Sequence, residues 1–257
     1  MSLFSVVYRC LFRDLVLVCC CVFAAVSSSF VIAEPVSVGR FDSSNSQPAS
    51  PWQVVRFDEK IPATQFQIID WHNRSALEAV AESSMALLAR PVEVDIEKTP
   101  ILCWQWWVDM PVDQADMNIK AGDDYAARLY LTFDLPDDQL SLGTRLKLSL
   151  ARQIYGDQVP EAAINYVWDN KHPIGTQQNN AYTDRAKMVV QRTGSADTGR
   201  WVDERRNVQT DVNTLFNSAG AKLIQIALAS DTDNTKSAAR ALFANLHFVA
   251  TEIPCHF

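Results

Sequence analysis

The feature that most constrains the fold is a succession of short β-rich runs from Trp52 to Val249, separated by turn residues. Runs rich in Val, Ile, Tyr, Phe and Trp, bounded by Gly, Pro, Asn and Asp, are typical of strands. Their number and spacing predict an all-β protein, an antiparallel β-sandwich with minor helices. The predicted strands are residues 52–57, 66–71, 100–108, 125–133, 164–168, 186–192, 199–208, 222–230 and 241–249.

Three segments do not follow the simple strand pattern. Residues 76–89 combine the Ala, Leu and Glu content of a helix with strands on either side, so a helix and a hairpin both remain open. Residues 142–155 alternate apolar and polar side chains only at first, which fits a strand or a short helix. Residues 208–216 have apolar side chains at helical spacing and predict a helix, with Thr210 as its N-cap.

The start of the chain has the organisation of an export signal. Arg9 and Arg13 precede an uncharged, strongly apolar stretch at residues 15–25, and small residues follow up to Ala33. This apolar core is shorter than the roughly 20 residues that a membrane span requires. We therefore predict a signal peptide at residues 1–33, cleaved after Ala33. The cleaved protein would be periplasmic or secreted, with no stable membrane anchor.

The rest of the chain is predicted to form one domain. Residues 34–50 are rich in Ser and poor in apolar side chains, which predicts a linker, and residues 51–257 would form a single β-sandwich domain. The formal net charge of −7 argues against nucleic acid as a partner. None of the eight glycines has the spacing of a dinucleotide-binding or phosphate-binding loop.

Two of the six cysteines lie beyond the predicted signal. Cys103 and Cys255 would share an oxidising compartment, where they could form a disulfide. The alternative is a buried, unpaired Cys103 and a free thiol at Cys255. The sequence has neither a C-x-x-C pair nor a regular spacing of histidines, so it does not predict a zinc site. The four histidines have no partner that the sequence reveals.

Strand periodicity assigns side chains to opposite faces of the predicted sheets. In the run at residues 125–133, the odd-numbered side chains, beginning with Tyr125, are predicted to face the core, while Arg128 and Tyr130 face the other side. The run at residues 100–108 has aromatic side chains on both faces. That strand is therefore covered on both sides or lines a groove.

Five sequence blocks, in order along the chain, resemble those of a known family. The blocks are LCWQWWVD (102–109), KAGDDYAARLYLTF (120–133), NYVWDN (165–170), W-x-x-E-R-R-N-V (201–208) and IALASDTDNTKSAARALFANLHF (226–248). They are similar to a bacterial family of exported proteins called domain of unknown function 3047. The resemblance implies a sandwich similar to galactose-binding-like and carbohydrate-binding jelly rolls, and no assigned activity. This chain has Val212 and Asn217 where the family pattern favours an aromatic residue and a glycine.

Asp123, Asp124 and Arg128 form the first candidate site. An arginine within an apolar and aromatic strand needs a carboxylate partner, or it lies on the floor of a site for an anion or a sugar. Asp124 shares a face with Arg128 but lies about 13 Å away along the strand, at roughly 3.3 Å per residue. Arg128 therefore needs a partner from an adjacent strand, or a ligand, and both possibilities stay open.

The turn after residues 222–230 carries a second candidate site. Asp231 and Asp233 alternate with other oxygen-bearing side chains in the sequence DTDNT. Such a turn could bind calcium, which takes six to eight oxygen ligands, although the same residue types are ordinary in turns. Asp231 and Asp233 are therefore candidate calcium ligands, with an Asx-type turn as the alternative. No other cofactor is predicted.

Aromatic side chains on outward faces are the third candidate. Trp107, Tyr130, Trp168 and Trp201 could stack on sugar rings while neighbouring amides and carboxylates bind hydroxyl groups. Together with the acidic groups and Arg128, they predict a non-catalytic binding module for a carbohydrate or another polar envelope ligand. The alternatives are a glycan-active enzyme that uses two carboxylates and a structural or partner-binding envelope protein.

Overall fold

The fold is a sandwich of two packed β-sheets, described in a computed structural model for residues 33–136, 140 and 161–257. The strands are β1 (Val36–Gly39), β2 (Gln53–Val55), β3 (Gln65–Trp71), β4 (Arg74–Glu82), β5 (Leu87–Val94), β6 (Ile101–Val108), β7 (Tyr125–Asp134), β8 (Ala162–Asp169), β9 (Gln177–Asn180), β10 (Thr183–Thr193), β11 (Val202–Asn207), β12 (Lys222–Asp231) and β13 (Ala238–Val249), and the helix is α1 (Val208–Phe216). One sheet has the order β11-β6-β13-β4-β3, with β1 also paired to β13, and the other has the order β2-β5-β12-β7-β8-β10-β9.

The prediction of an all-β sandwich is confirmed, and each predicted run overlaps one of these strands. The ambiguous residues 76–89 lie in β4 and β5, which belong to different sheets. Ser83, between them, has a φ of 48°, and the chain passes there from one sheet to the other. Residues 142–155 lie outside the described part of the chain. No helix in that part is long and apolar enough to cross a membrane.

The segment predicted as a linker, residues 34–50, belongs in part to the sandwich. Val36–Gly39 forms β1, which pairs antiparallel with β13. Val38 and Phe41 pack into the core, at 2% and 9% exposure. The linker prediction fails here because this strand is too short for its alternation to stand out against the surrounding serines.

Two further details differ from the predictions. Strands β8 and β10 run parallel, so the seven-stranded sheet is mixed rather than antiparallel throughout. Asn207, rather than Thr210, is the N-cap of α1, because its side chain accepts a hydrogen bond from the Thr210 backbone N–H at 2.8 Å. At the other end, Asn217 has a φ of 49°, a left-handed conformation that Asn tolerates and glycine favours.

Aromatic side chains fill much of the space between the sheets. Trp104 and Trp106 of β6 and Tyr166 and Trp168 of β8 have no exposed surface. The rings of Trp104 and Tyr166 stack with centres 5.5 Å apart, and those of Trp106 and Trp168 lie 5.7 Å apart. These contacts join the centre of one sheet to the centre of the other.

A bulge in β7 determines which side chains face outward. Tyr125 pairs with Asp231 and Arg128 pairs with Ala229, so two residues of β7 lie opposite one residue of β12. Tyr125 and Arg128 therefore share the outer face of the seven-stranded sheet. The prediction that Tyr125 faces the core with Leu129 is wrong for this reason.

Candidate functional site

A cavity of about 550 Å³ opens on the outer face of the seven-stranded sheet. Its floor comes from β7, β8 and β12 at the middle of the sheet, and its walls come from the loops around them. Aromatic and apolar side chains form much of the rim. The charged and amide side chains of its lining include Asp123, Arg128, Asn165, Asn180, Asp231 and Asp233.

Arg128 lies at the centre of the cavity floor and is almost completely buried. Its Nη2 lies 3.0 Å from a carboxylate oxygen of Asp123 and 3.0 Å from one of Asp231. Its Nη1 donates a hydrogen bond to the Tyr130 hydroxyl at 2.9 Å, and its guanidinium carbon lies 4.2 Å from the centre of the Tyr125 ring. Burial alone would lower the pKa of Arg128, but the two carboxylates outweigh burial and raise it. The guanidinium therefore stays charged.

The carboxylates around Arg128 repel one another. Burial raises the pKa of Asp231 well above its usual range; Arg128 opposes this rise, while Asp123, Asp124 and Asp233 add to it. Burial also raises the pKa of Asp233, and Asp124 adds to that rise. The site therefore has more negative charge than one guanidinium balances.

Asp124 organises the turn between β12 and β13 instead of contacting Arg128. Its Oδ1 accepts a hydrogen bond from the Asn234 backbone N–H at 3.2 Å, and its Oδ2 accepts one from the Thr235 backbone N–H at 2.6 Å. Arg128 takes its carboxylate partners from the loop before β7 and from β12. By accepting hydrogen bonds from the two residues that follow Asp233, Asp124 holds the turn that places Asp233 at the cavity wall.

Three carboxylates approach one another closely enough to be considered as metal ligands. Oxygens of Asp124, Asp231 and Asp233 lie within 4.8 Å of one another. Both oxygens of Asp124 already accept backbone hydrogen bonds, and one oxygen of Asp231 contacts Arg128. These three side chains alone do not supply the six to eight oxygens that calcium takes.

Several buried polar atoms at the cavity floor have no hydrogen-bond partner among the described residues. They are Arg128 Nε, Asn165 Oδ1 and Asp231 Oδ1. Asn165 and Asp231 are only 1% and 2% exposed. Buried polar groups are normally paired, so unpaired acceptors at a cavity indicate where a polar ligand would bind.

The rim of the cavity presents aromatic surface. Tyr182 is 54% exposed, and its hydroxyl donates a hydrogen bond to Asn234 Oδ1 at 2.8 Å. Phe57 is 70% exposed. On the wall between rim and floor, Asn180 Nδ2 donates to Asp123 Oδ2 at 2.9 Å. An aromatic rim above carboxylate and amide groups suits a polar, ring-shaped ligand.

The tryptophans predicted to bind ligand do not lie at this cavity. Trp168 is fully buried between the sheets, where its Nε1 donates to the Gly194 carbonyl at 3.0 Å. The prediction of an outward Trp168 is wrong, because the even-numbered positions of β8 face the core. Trp107 and Trp201 lie on the outer face of the six-stranded sheet, with ring centres 6.0 Å apart. The candidate residues are therefore divided between opposite faces of the sandwich.

Other side chains cover most of this second aromatic group. The His72 ring stacks on Trp107 with centres 4.9 Å apart, and the Trp71 ring packs edge-on at 5.8 Å. The Arg240 guanidinium lies 4.3 Å from the centre of the Trp71 ring. Trp107 consequently keeps only 8% of its surface exposed. It offers little ring surface to a ligand.

Sequence reasoning missed two polar arrangements. Asn165 was not singled out, because only the pairing of β7 with β8 places it opposite Tyr130. His172 Nδ1 lies 3.1 Å from an oxygen of the buried Asp169. The spacing of Asp and His three residues apart could have indicated this second contact.

Fold and site together define a two-sheet β-sandwich with an acidic, aromatic-rimmed cavity on one outer face. The chain belongs to the family described as "Protein of unknown function (DUF3047)", whose model matches residues 50–247. The resemblance to that family is thereby confirmed. No curated protein sequence matches the chain.

Solved structures with distant similarity to this chain include two xyloglucanases and an endoglucanase. The xyloglucanase domain of NopAA from Sinorhizobium fredii, in complex with cellobiose, is 8% identical with a TM-score of 0.34 over 80% of this chain and 100% of that chain. A family 12 xyloglucanase from Bacillus licheniformis is 9% identical with a TM-score of 0.36 over 84% and 99%. Endoglucanase 3 of Trichoderma harzianum is 6% identical with a TM-score of 0.35 over 78% and 98%. Similarity at this level does not extend to function.

Proposed function

We propose that this protein is a non-catalytic binding module for a carbohydrate or a chemically similar polar envelope ligand, and that the cavity on the seven-stranded sheet is its binding site. The observation that carries the proposal is the set of unpaired, buried acceptors at the cavity floor, including Asn165 Oδ1 and Asp231 Oδ1. Sugar hydroxyls would donate to these oxygens, while Tyr182 and Tyr130 provide aromatic surface.

The proposed module acts outside the cytoplasm. The basis is the signal-like sequence that ends at Ala33. Cell fractionation followed by N-terminal sequencing tests this proposal, and a protein that stays in the cytoplasmic fraction and begins at Met1 would contradict it.

Replacing Tyr182 with alanine is expected to weaken glycan binding by up to about tenfold, because an aromatic contact contributes roughly 0.5–1.5 kcal/mol. Folding should be unaffected, since the side chain is 54% exposed. An array of envelope glycans identifies a ligand, and calorimetry with that ligand compares the variants. Trp201→Ala, on the opposite outer face, is the matched control and should bind like the wild type. Equal binding by Tyr182→Ala, or weaker binding only by Trp201→Ala, would contradict this assignment of the site.

One observation favours a second candidate, a glycan-active enzyme. An oxygen of Asp123 and one of Asp231 each lie 3.0 Å from the same Arg128 nitrogen. The two oxygens are therefore at most about 6 Å apart, comparable to the roughly 5–5.5 Å between the carboxyl groups of retaining glycosidases. The raised pKa of Asp231 would suit a proton donor.

Burial makes the enzymatic alternative the weaker one. Both carboxylates are held by Arg128, and Asp123 and Asp231 are only 6% and 2% exposed. A substrate would have to displace the arginine to reach them. Release of new reducing ends from a bound glycan by the wild type, abolished in Asp231→Asn, would favour the enzyme.

A further inference from the structure

We propose that the ligand of this cavity carries a positive charge, and that it is an amino sugar whose ammonium group binds among the carboxylates beside Arg128. This inference rests on the proposed function and specifies its ligand class. Three properties of the cavity support it: the balance of charge, the unpaired acceptors and the shape of the rim.

The charge balance of the cavity is negative. Asp123, Asp231 and Asp233 line it, and among the described residues of the lining Arg128 is their only cationic partner. Asp124 lies close behind them and repels both Asp231 and Asp233. Close carboxylates of this kind destabilise one another unless a cation separates them.

Charged groups on the surrounding elements do not remove this imbalance. Lys236, on the turn before β13, is exposed and attracts Asp233 only weakly. Lys120 lies over the Tyr182 ring, with its Nζ 5.1 Å from the ring centre. Asp58 adds a further negative charge at the cavity wall. A bound cation would therefore lower the electrostatic free energy of the site, which a neutral sugar would not.

The acceptors in the cavity match an ammonium group. Such a group has three N–H donors and no acceptor. Asp231 Oδ1 and Asn165 Oδ1 are buried acceptors without a donor, and Asp233 is a partly exposed carboxylate on the same cavity. Hydrogen bonds from a charged donor to these oxygens are stronger than those from a hydroxyl group.

An ammonium group fits this site better than a metal ion. Calcium requires about six to eight oxygens, whereas Asp124 already accepts two backbone hydrogen bonds and Asp231 contacts Arg128. A sugar would also use the rim, where Phe57 and Tyr182 are exposed. A bare ion would leave that aromatic surface unused.

Calorimetry with two tetrasaccharides of equal length tests the inference. One is the glucosamine tetramer, and the other is the same chain fully N-acetylated, which removes the positive charges. The chain beginning at Glu34 is expected to bind the glucosamine tetramer at least about tenfold more tightly. Asp233→Asn should reduce this preference, and Trp201→Ala should retain it.

The pH dependence gives a second readout. Protonation of Asp231 and Asp233 removes the negative charge that attracts the ammonium group, while the amine itself stays protonated as the pH falls. The pKa of each of these two carboxyl groups is raised. On acidification, glucosamine binding should therefore weaken at a higher pH than that at which an ordinary aspartate becomes protonated. Binding of the acetylated tetramer should change little over the same range.

The alternative outcomes separate this inference from the proposed function. Equal affinity for both tetramers, or preference for the acetylated one, would overturn the inference and leave carbohydrate binding intact. No binding of either tetramer, together with no ligand on a glycan array, would overturn both proposals. If the protein bound calcium but no glucosamine, and Asp233→Asn abolished the calcium binding, the cavity would be a metal site and the inference would be wrong.

Discussion

Replacing Arg128 with methionine is expected to lower the free energy of unfolding by about 3–5 kcal/mol, the usual cost of removing one partner of a buried ion pair. The guanidinium is the shared cation of Asp123 and Asp231, at 3.0 Å from each. Methionine has a similar volume but is apolar and carries no charge. It would leave two buried carboxylates facing one another, so the loss comes from their desolvation and repulsion rather than from lost volume. Urea denaturation at neutral pH measures the effect.

A matched combination shows whether charge is the cause. Adding Asp123→Asn and Asp231→Asn to Arg128→Met removes the whole charged group, and it should recover most of the lost stability. The Arg128→Met variant should also regain stability as the pH falls, because protonation neutralises its unpaired carboxyl groups. If Arg128→Met and the wild type had the same free energy of unfolding at neutral pH, the arginine would not be the partner that stabilises these carboxylates.

Loss of the disulfide between Cys103 and Cys255 is expected to cost about 2–5 kcal/mol. The structure joins these residues, with Cα atoms 5.8 Å apart across a sequence separation of 152 residues. A crosslink that closes so long a loop removes many conformations from the unfolded chain. Cys103 is buried in β6, whereas Cys255 lies beyond β13 and is partly exposed.

Cys255→Ala is the informative variant, because it breaks the crosslink and leaves the buried Cys103 side chain in place. Its unfolding should match that of the wild type measured with reductant, and reductant should have no further effect on it. Two titratable thiols in the unfolded, unreduced wild-type protein would contradict the disulfide.

The strands could be predicted from the sequence where apolar and polar side chains alternate clearly and the apolar content is high. Runs such as residues 222–230 and 241–249 carry enough Leu, Ile, Val and Phe to reveal a half-buried or buried strand. Strand β9, Gln177–Asn180, has no apolar side chain, and β1 is only four residues long. Strand β4 is rich in alanine, which is buried in the structure but has no strong preference for strands.

The candidate site was only partly predictable, for a physical reason. An arginine in an apolar strand indicated a buried ion pair or a ligand site, and the structure shows Arg128 in buried ion pairs on the floor of a cavity. Which carboxylates it contacts depends on the bulge in β7 and on pairing with β12, and a period of two cannot reveal either. The same limit explains why the predicted orientation of Trp168 is wrong. The sequence of β8 does not show which of its two faces lies against the core.

The pairing of β13 also has a consequence for the order of folding. This strand of 12 residues pairs with β1, β4 and β6, and all three precede it in the chain. While the chain is being synthesised, the middle of the six-stranded sheet therefore stays vacant until β13 has emerged. Contacts between such distant segments form slowly. The six-stranded sheet therefore closes only after β13 has been synthesised, so its completion is expected to be a late and slow step of folding.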